Sequence, residues 1–86
     1  MIKPTIGRVV WYYPENAQLS DQPFPALVCY VHSDEIINVA GFDANGLQFA
    51  KTSVPLIQDE AKYREQKNRF ACWMPYQKAQ AEKTDK

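Results

Sequence analysis

Five short runs of β-branched and aromatic residues, separated by turn-forming residues, constrain the fold of this chain more than any other feature. They cover residues 6–13, 26–32, 36–43, 47–54 and 70–74. Pro14 and Pro55 end two of the runs, because proline cannot donate to a strand ladder. Asn45-Gly46 separates the third run from the fourth, and both residues tolerate a positive φ. The pattern predicts a mainly β fold.

The segment between the fourth and fifth runs has a different character. Residues 59–67 are rich in helix formers, with acidic residues first and basic residues last, an order that suits a helix dipole. We therefore predict a small five-stranded antiparallel SH3-like or Tudor-like barrel with a short helical insert before the last strand, and an OB-type barrel is the alternative. The barrel domain is predicted over residues 1–76, followed by a polar, mobile tail over 77–86.

Charge is balanced overall but unevenly distributed. The 86 residues form one domain, and their formal net charge is zero, which argues against a protein that mainly binds duplex DNA non-specifically. Residues 1–61 hold three basic and seven acidic side chains, a net −4, whereas residues 62–86 hold seven basic and three acidic ones, a net +4. The basic end can attract a phosphate-bearing partner, remain solvated, or pair with the acidic half of a neighbouring copy.

Side-chain alternation along the strands assigns a core and an outer face. The predicted core is the set without polar members: Val9, Trp11, Leu27, Cys29, Val31, Ile37, Val39, Leu47 and Phe49. The opposite set is also mostly apolar: Val10, Tyr12, Val28, Tyr30, Ala40 and Phe42. A solvated sheet face is normally polar, so we expect this outer face to be covered by another subunit, by residues 56–69 or by a ligand. A homodimer or higher homo-oligomer is predicted.

The sequence shows no constellation typical of catalysis or metal binding. Cys29 and the single histidine, His32, are three residues apart and fall on opposite faces of a strand, which argues against a catalytic dyad. Paired Cys-x-x-Cys motifs and glycine-rich phosphate loops are missing from the sequence. We therefore predict a non-enzymatic protein without catalytic residues, metal or cofactor. Without a secretory signal or a membrane span in the sequence, Cys29 and Cys72 are expected to be reduced, buried thiols in a cytosolic protein.

Aromatic side chains near basic and amide side chains are the remaining functional signal. Stacking of a base on an aromatic ring contributes roughly 1–3 kcal/mol, whereas the alternative is that the same rings form the core or a subunit interface. Tyr12, Tyr30 and Trp73 are candidates for stacking, and Arg8 and Arg69 for pairing with phosphates. Polar specificity would come from His32, Asn38 and Gln77. These eight residues are the predicted ligand-binding site for a small anionic nucleotide.

Four runs of the chain resemble a family of small accessory proteins of tailed bacteriophages and prophages. They are residues 7–13 (GRVVWYY), 42–46 (FDANG), 52–56 (TSVPL) and 73–77 (WMPYQ). The likeness covers nearly the whole chain except the tail and carries over no functional residue. It implies the cytoplasm of a bacterial host. By analogy with phage sponges, we expect an anti-defence protein that sequesters a cyclic nucleotide or cyclic ADP-ribose signal at a subunit interface. The alternative is an SH3/OB-like module that binds single-stranded nucleic acid or a protein partner in phage DNA metabolism or virion structure.

Overall fold

Five strands close into a barrel in which each strand neighbours the next along the chain. The computed structural model describes residues 2–17, 21–66, 68–75 and 77–79. The strands are β1 (Val9–Tyr13), β2 (Phe24–Ser33), β3 (Ile36–Phe42), β4 (Gln48–Ile57) and β5 (Phe70–Cys72), and a 3₁₀ helix (Glu60–Glu65) precedes β5. The predicted fold class, a small mainly β barrel of the SH3-like kind with a helical insert before the last strand, is confirmed.

One strand pairing differs from the antiparallel prediction. The β1–β2, β2–β3 and β3–β4 pairs are antiparallel, and β5 closes the barrel by pairing antiparallel with β1. The β4–β5 pair is parallel. A parallel neighbour needs a crossover of roughly a dozen residues, and residues 58–69, which contain the 3₁₀ helix, supply one.

The turn between β3 and β4 is built as the sequence predicts. Gly46 adopts a φ of 79°, a conformation that favours glycine. The Asp43 carboxylate accepts hydrogen bonds from the backbone N–H groups of Asn45 (2.9 Å) and Leu47 (3.0 Å). The Asp43 carbonyl also accepts from the N–H of Gly46 (2.9 Å), which completes the tight turn.

The bounds of several elements differ from the prediction. β2 begins at Phe24, and β4 continues through Pro55 to Ile57, so this proline does not end the strand. β1 begins at Val9 rather than at residue 6, because Gly7, with a φ of 93°, lies in a turn in which the N–H of Arg8 bonds to the Thr5 carbonyl (3.2 Å). The predicted helix is a 3₁₀ helix of six residues. Asp59 caps it by accepting a hydrogen bond from the N–H of Ala61 (2.9 Å).

The barrel interior corrects the predicted faces of β1 and β2. Val9 and Leu27, assigned to the core, are 37% and 48% exposed, whereas Val10 and Val28 are buried. The buried interior cluster consists of Val10, Tyr12, Ala26, Val28, Ile37, Val39, Val54, Leu56, Ala71 and Trp73. The core assignment of Ile37 and Val39 in β3 is confirmed. Leu47 lies in the turn before β4 and is exposed.

The faces of β1 and β2 were assigned from the polar residues Arg8 and His32, and neither residue indicates which face of its strand is exposed. Arg8 precedes β1 and lies outside the barrel interior, so its position carries no information about the strand's faces. In β2 the pairing register shifts between Val28 and Tyr30, which leaves Cys29 as the extra residue of a β-bulge. Beyond the bulge the alternation changes phase, so that Val31 packs on the core and His32 is exposed.

A second, smaller cluster lies outside the barrel wall. Tyr13, Phe70 and Cys72 are buried there, and Trp11 and Tyr63 pack against them. The rings of Tyr13 and Phe70 stack at 5.0 Å, and Tyr63 from the 3₁₀ helix approaches Phe70 at 5.7 Å. The 3₁₀ helix therefore covers an apolar surface on the outside of the barrel, but none of the residues of this cluster belongs to the predicted outer face.

Residues 77–79 form a helical turn that rests on the barrel. Gln77 and Lys78 donate backbone hydrogen bonds to the Met74 carbonyl (3.0 and 3.3 Å). The Lys78 ammonium group also bonds to the carbonyl of Gln58 (3.1 Å) and to the carboxylate of Glu60 (3.4 Å). The rest of the predicted tail, residues 80–86, lies outside the described residues. No helix in the described ranges has the length and apolar character needed to cross a membrane.

Candidate ligand-binding cleft at one end of the barrel

Two of the predicted stacking rings are buried. Tyr12 is 3% exposed and Trp73 is 1% exposed, and both belong to the interior cluster. The Trp73 indole N–H donates to the side-chain oxygen of Gln58 (3.2 Å). The Arg8 guanidinium lies 6.0 Å from the centre of the Trp73 ring, a distance typical of a cation–π contact within the protein. At this burial neither ring has an exposed face on which a base could stack.

Two other predicted residues, His32 and Asn38, form hydrogen bonds between neighbouring strands where the strand register shifts. The Asn38 side-chain oxygen accepts hydrogen bonds from Nε2 of His32 (2.9 Å) and from the N–H of Ser53 (2.8 Å). Ser53 has a φ of 52° and lies where the register of β3 and β4 shifts. Tyr30 packs edge-on against the His32 ring at 4.9 Å and is 54% exposed. His32 and Asn38 therefore hold the strands in register, and Tyr30 stands on the surface beside them.

Gln77, a predicted ligand contact, makes hydrogen bonds within the chain. Its side-chain oxygen accepts from the N–H of Met74 (3.0 Å), and its side-chain nitrogen donates to the carbonyl of Val9 (2.9 Å). Both ends of the amide are thus used to fasten the helical turn to β1.

The best candidate for a ligand site is a cleft of about 440 Å³ at one end of the barrel. It combines aromatic, cationic and acidic side chains from both ends of the chain: Tyr12, Pro14, Glu15, Phe24, Asp43, Phe49, Lys51 and Arg69. Its volume falls in the ordinary range for small-molecule pockets. Of the eight predicted residues, Tyr12 and Arg69 line this cleft.

The rings of Phe24 and Phe49 form the floor of the cleft, and the buried Tyr12 ring packs against Phe49. Tyr12 in β1 pairs directly with Phe24 in β2, which places both side chains at the same level of the barrel. The Phe49 ring lies between them, 5.1 Å from Tyr12 and 6.0 Å from Phe24, measured between ring centres. Phe24 and Phe49 are half-buried, so part of each ring faces the cleft. This floor gives a flat apolar ligand a surface to rest on.

Two cations stand beside this floor. Lys51 follows Phe49 by two residues, so strand alternation points both side chains to the same side of β4. The Arg69 guanidinium donates to the Thr52 carbonyl (2.7 Å), which fixes it at the β4 bulge. Burial raises the pKa of the Tyr12 hydroxyl, and the charge and hydrogen bond of Arg69 offset part of this rise. Tyr12 is therefore a neutral hydroxyl at pH 7.

The acidic side chains of the cleft balance its two cations. Glu15 lies in the loop after β1, and Asp43 begins the turn after β3. One Asp43 oxygen is satisfied by the two backbone N–H groups of its own turn, which holds this carboxylate at the hairpin. The cleft therefore has no net charge. Its two cations come from β4 and the segment before β5, whereas its two carboxylates come from the loops after β1 and β3.

The prediction missed six of the eight cleft residues, among them Phe24, Phe49 and Lys51. Phe24 sits between Pro23 and Pro25, and a ring held between prolines at the start of a strand is a signal for a rigid aromatic contact. Phe49 was assigned to the core, where it does pack partly. The cue to its second role is Lys51, a cation two residues further on, because an inward-facing cation fits only at an open barrel end.

The thiol of Cys72 lies in the second cluster beside the Tyr63 hydroxyl. Burial raises the pKa of Cys72 to about 11, although Tyr63 and the Lys78 charge act in the opposite direction. Burial also raises the pKa of Tyr63, with a further contribution from Cys72. At pH 7 the thiol is neutral and a poor nucleophile. Cys29, in contrast, is exposed, which corrects its predicted burial, and both cysteines are free thiols.

Within the described ranges, no group of three or more His, Cys, Asp or Glu side chains is arranged to hold a metal ion. Comparison of the chain with protein-family models, curated proteins and solved structures finds no match. The resemblance to small phage accessory proteins therefore stays a prediction, and the functional argument depends on the cleft itself.

Proposed function

We propose that this chain is a non-enzymatic binding protein that holds a small nucleotide-type ligand in the barrel-end cleft. The supporting observation is the placement of Lys51 and Arg69 beside the rings of Phe24 and Phe49 in a cleft of about 440 Å³. A base would rest on the phenylalanine rings, and a phosphate would pair with the two cations. The neutral Tyr12 hydroxyl, next to Arg69, supplies a hydrogen-bonding group at the same level.

The cleft favours a small ligand over a nucleic-acid strand. A site that follows a phosphate backbone needs a continuous positive groove. Here Glu15 and Asp43 interrupt the cations of the cleft, and the whole chain has no net charge. One or two phosphates can still be accommodated at Lys51 and Arg69 while the carboxylates lie towards the rest of the ligand.

The resemblance to phage accessory proteins suggests a biological role for such binding. A protein that binds a nucleotide signal without converting it would act as a sponge and weaken a host antiviral response in the bacterial cytoplasm. The proposal places the ligand in the cleft of one barrel, whereas the sequence-based prediction placed it at a subunit interface.

Calorimetry tests the proposal directly. The purified protein is titrated with cyclic di- and trinucleotides, cyclic ADP-ribose isomers and mononucleotides, and each ligand is afterwards recovered and analysed by chromatography. We expect one class to bind stoichiometrically and to be recovered unchanged. Lys51→Glu should raise the Kd for that ligand by about tenfold, equivalent to ~1.4 kcal/mol. Lys3→Glu is the matched control, because Lys3 is exposed and does not line the cleft.

Three results would contradict the proposal. The cleft would not be the site if the two lysine substitutions weakened binding equally. Chemical conversion of the ligand would make the protein an enzyme. Failure of every nucleotide to bind, combined with salt-sensitive binding of single-stranded oligonucleotides, would support the alternative module for nucleic acid.

A further inference from the structure

The carboxylate of Asp43 lies next to the aromatic floor of the cleft, on the side of the turn between β3 and β4. Gly41 in β3 pairs with Phe49 in β4. One step further towards the turn, the N–H of Asp43 donates to the carbonyl of Leu47 (2.9 Å), which extends the same ladder. Because alternate residues of a strand share a face, Asp43 lies on the same side of the hairpin as Phe49, and both residues line the cleft.

A cation lies on the other side of the Phe49 ring. Lys51 follows Phe49 by two residues, whereas Leu47, the partner of Asp43, precedes it by two. Alternate residues of a strand are ~7 Å apart, so the cleft presents a cation, an aromatic ring and a carboxylate in that order over ~14 Å. A nucleotide has its groups in the matching order, with the phosphate at one end and the polar edge of the base at the other.

The Asp43 carboxylate is fixed by its turn and has one oxygen left for a ligand. Its Oδ1 accepts hydrogen bonds from the backbone N–H groups of Asn45 (2.9 Å) and Leu47 (3.0 Å), which occupy both lone pairs of this oxygen. Among the described residues, no donor bonds to the other oxygen, Oδ2. A half-buried side chain that is already fixed loses little rotamer freedom when a ligand binds, so it is suited to a specificity contact.

Guanine is the common base whose edge fits a carboxylate best. Its N1–H and its N2 amino group are neighbouring donors, whereas the amino group of adenine or cytosine stands beside a ring nitrogen whose lone pair repels a carboxylate. The N3–H of uracil lies between two carbonyl oxygens. We propose that Asp43 selects a guanine base in the cleft by accepting a hydrogen bond at Oδ2, an inference that rests on the proposed binding of a nucleotide there. Such a bond to a charged acceptor is stronger than one between neutral groups.

Calorimetry with guanosine, inosine and adenosine 5′-monophosphate tests this selection, because the three ligands differ only in the base. Inosine monophosphate keeps the N1–H and lacks the N2 amino group. We expect the wild-type chain to bind the guanine nucleotide about tenfold or more tightly than the adenine nucleotide, with the inosine nucleotide between them. The guanine form of a cyclic dinucleotide should likewise bind more tightly than its adenine form.

The substitution Asp43→Asn isolates the contact. The amide oxygen can replace Oδ1 in the turn, while an NH₂ group takes the place of Oδ2 and turns an acceptor into a donor. We expect the Kd for the guanine nucleotide to rise about tenfold and the adenine nucleotide to bind no more weakly than before. Asp59→Asn is the matched control, because the Asp59 carboxylate also accepts a backbone N–H (2.9 Å) but does not line the cleft.

A second measurement needs no variant and remains decisive if Asp43→Asn unfolds, which circular dichroism would reveal. The amide protons of Asn45 and Leu47 bond to Oδ1, so their NMR resonances report on a ligand at Asp43. At saturation the guanine nucleotide should shift both resonances more than the adenine nucleotide does. Equal shifts from the two nucleotides would overturn the inference.

The failure of this inference can be told apart from the failure of the proposed function. Nucleotides that bind without a base preference refute the selection by Asp43 and leave the proposed function standing. The same holds if Asp43→Asn leaves the preference intact, if Asp59→Asn removes it as well, or if Glu15→Gln alone removes it. If no mononucleotide or cyclic dinucleotide binds to the wild-type chain, the proposed function fails, and the inference fails with it.

Discussion

Gln58 offers the sharpest test of how this barrel is held closed, because its side chain joins three distant parts of the chain. Its oxygen accepts from the Trp73 indole N–H (3.2 Å) and from the backbone N–H of Ile2 (3.3 Å). Its nitrogen donates to the carbonyls of Ile2 (2.9 Å) and Asp34 (3.3 Å). The substitution Gln58→Leu keeps a side chain of similar size and removes all four hydrogen bonds.

The cost is dominated by the indole of Trp73. This residue is 1% exposed, so water cannot replace the lost acceptor, and an unsatisfied buried N–H costs about 1–3 kcal/mol. Ile2 and Asp34 are half-buried, and water can take over their bonds at a smaller cost. We therefore expect Gln58→Leu to lower the free energy of unfolding by ~2–4 kcal/mol, a large share of the ~5–15 kcal/mol typical of a domain.

Urea unfolding followed by circular dichroism measures this effect, and a double-mutant cycle isolates the hydrogen bond to the indole. Trp73→Phe keeps an aromatic ring but removes the N–H group. In that background, Gln58→Leu should cost about 1–3 kcal/mol less than in the wild type, with an unchanged m-value. If the two substitutions were additive within ~0.5 kcal/mol, the indole N–H would not depend on Gln58, and the reasoning would be refuted.

Three further effects follow from buried or strained positions. Gly41→Ala should lower stability by about 3 kcal/mol or more, measured by urea unfolding, because its Cβ would meet the rigid carbonyl of Pro25; a neutral substitution would disprove this close approach. The folded pKa of Cys72 is raised from 9.0 to about 11, so the stability from its neutral thiol is full below pH 9 and is lost as pH rises towards 11. Cys72→Ala should therefore lose less stability between pH 8 and 10.5 than the wild type, and equal losses would contradict the shift. Asp59→Ala removes the cap of the 3₁₀ helix and should cost about 1 kcal/mol and speed amide exchange there, whereas unchanged exchange would show the cap to be dispensable.

The sequence predicted the barrel because its local signals agree with the final fold. Pro14 and the Asp43–Gly46 turn separate strands where the structure does, and the order of acids and bases marks the helical insert. Pro55 does not, because β4 continues through it to Ile57. The parallel pairing of β5 could not be read in the same way, since direction depends on the path of residues 58–69 across the barrel. That path is set by packing of Tyr63 on Phe70, a contact between elements.

The faces of the strands were harder to predict because alternation fails at a bulge. Cys29 is an extra residue in β2, and no proline or glycine marks it. Ser53 adopts a φ of 52° in β4, and this conformation is not predicted for a serine because positive φ values are uncommon outside glycine. After each bulge the inward and outward positions exchange. The predicted ligand site used residues from both sides of the β2 bulge, and it therefore combined side chains that the structure separates.

The two apolar faces of β1 explain why the 3₁₀ helix packs on the outside of the barrel. Val10 points inwards, while Val9, Trp11 and Tyr13 point outwards, so water must be excluded from both sides of the strand. The 3₁₀ helix has six residues and extends only ~12 Å, enough to span two or three strands. It covers β5 and the later half of β1, where Tyr13 is buried against its neighbours, and leaves Val9 37% exposed. A longer insert could have covered Val9 and its pairing partner Leu27, which is 48% exposed, from within the chain. The length of the insert therefore decides how much of the barrel's outer apolar surface is removed from water.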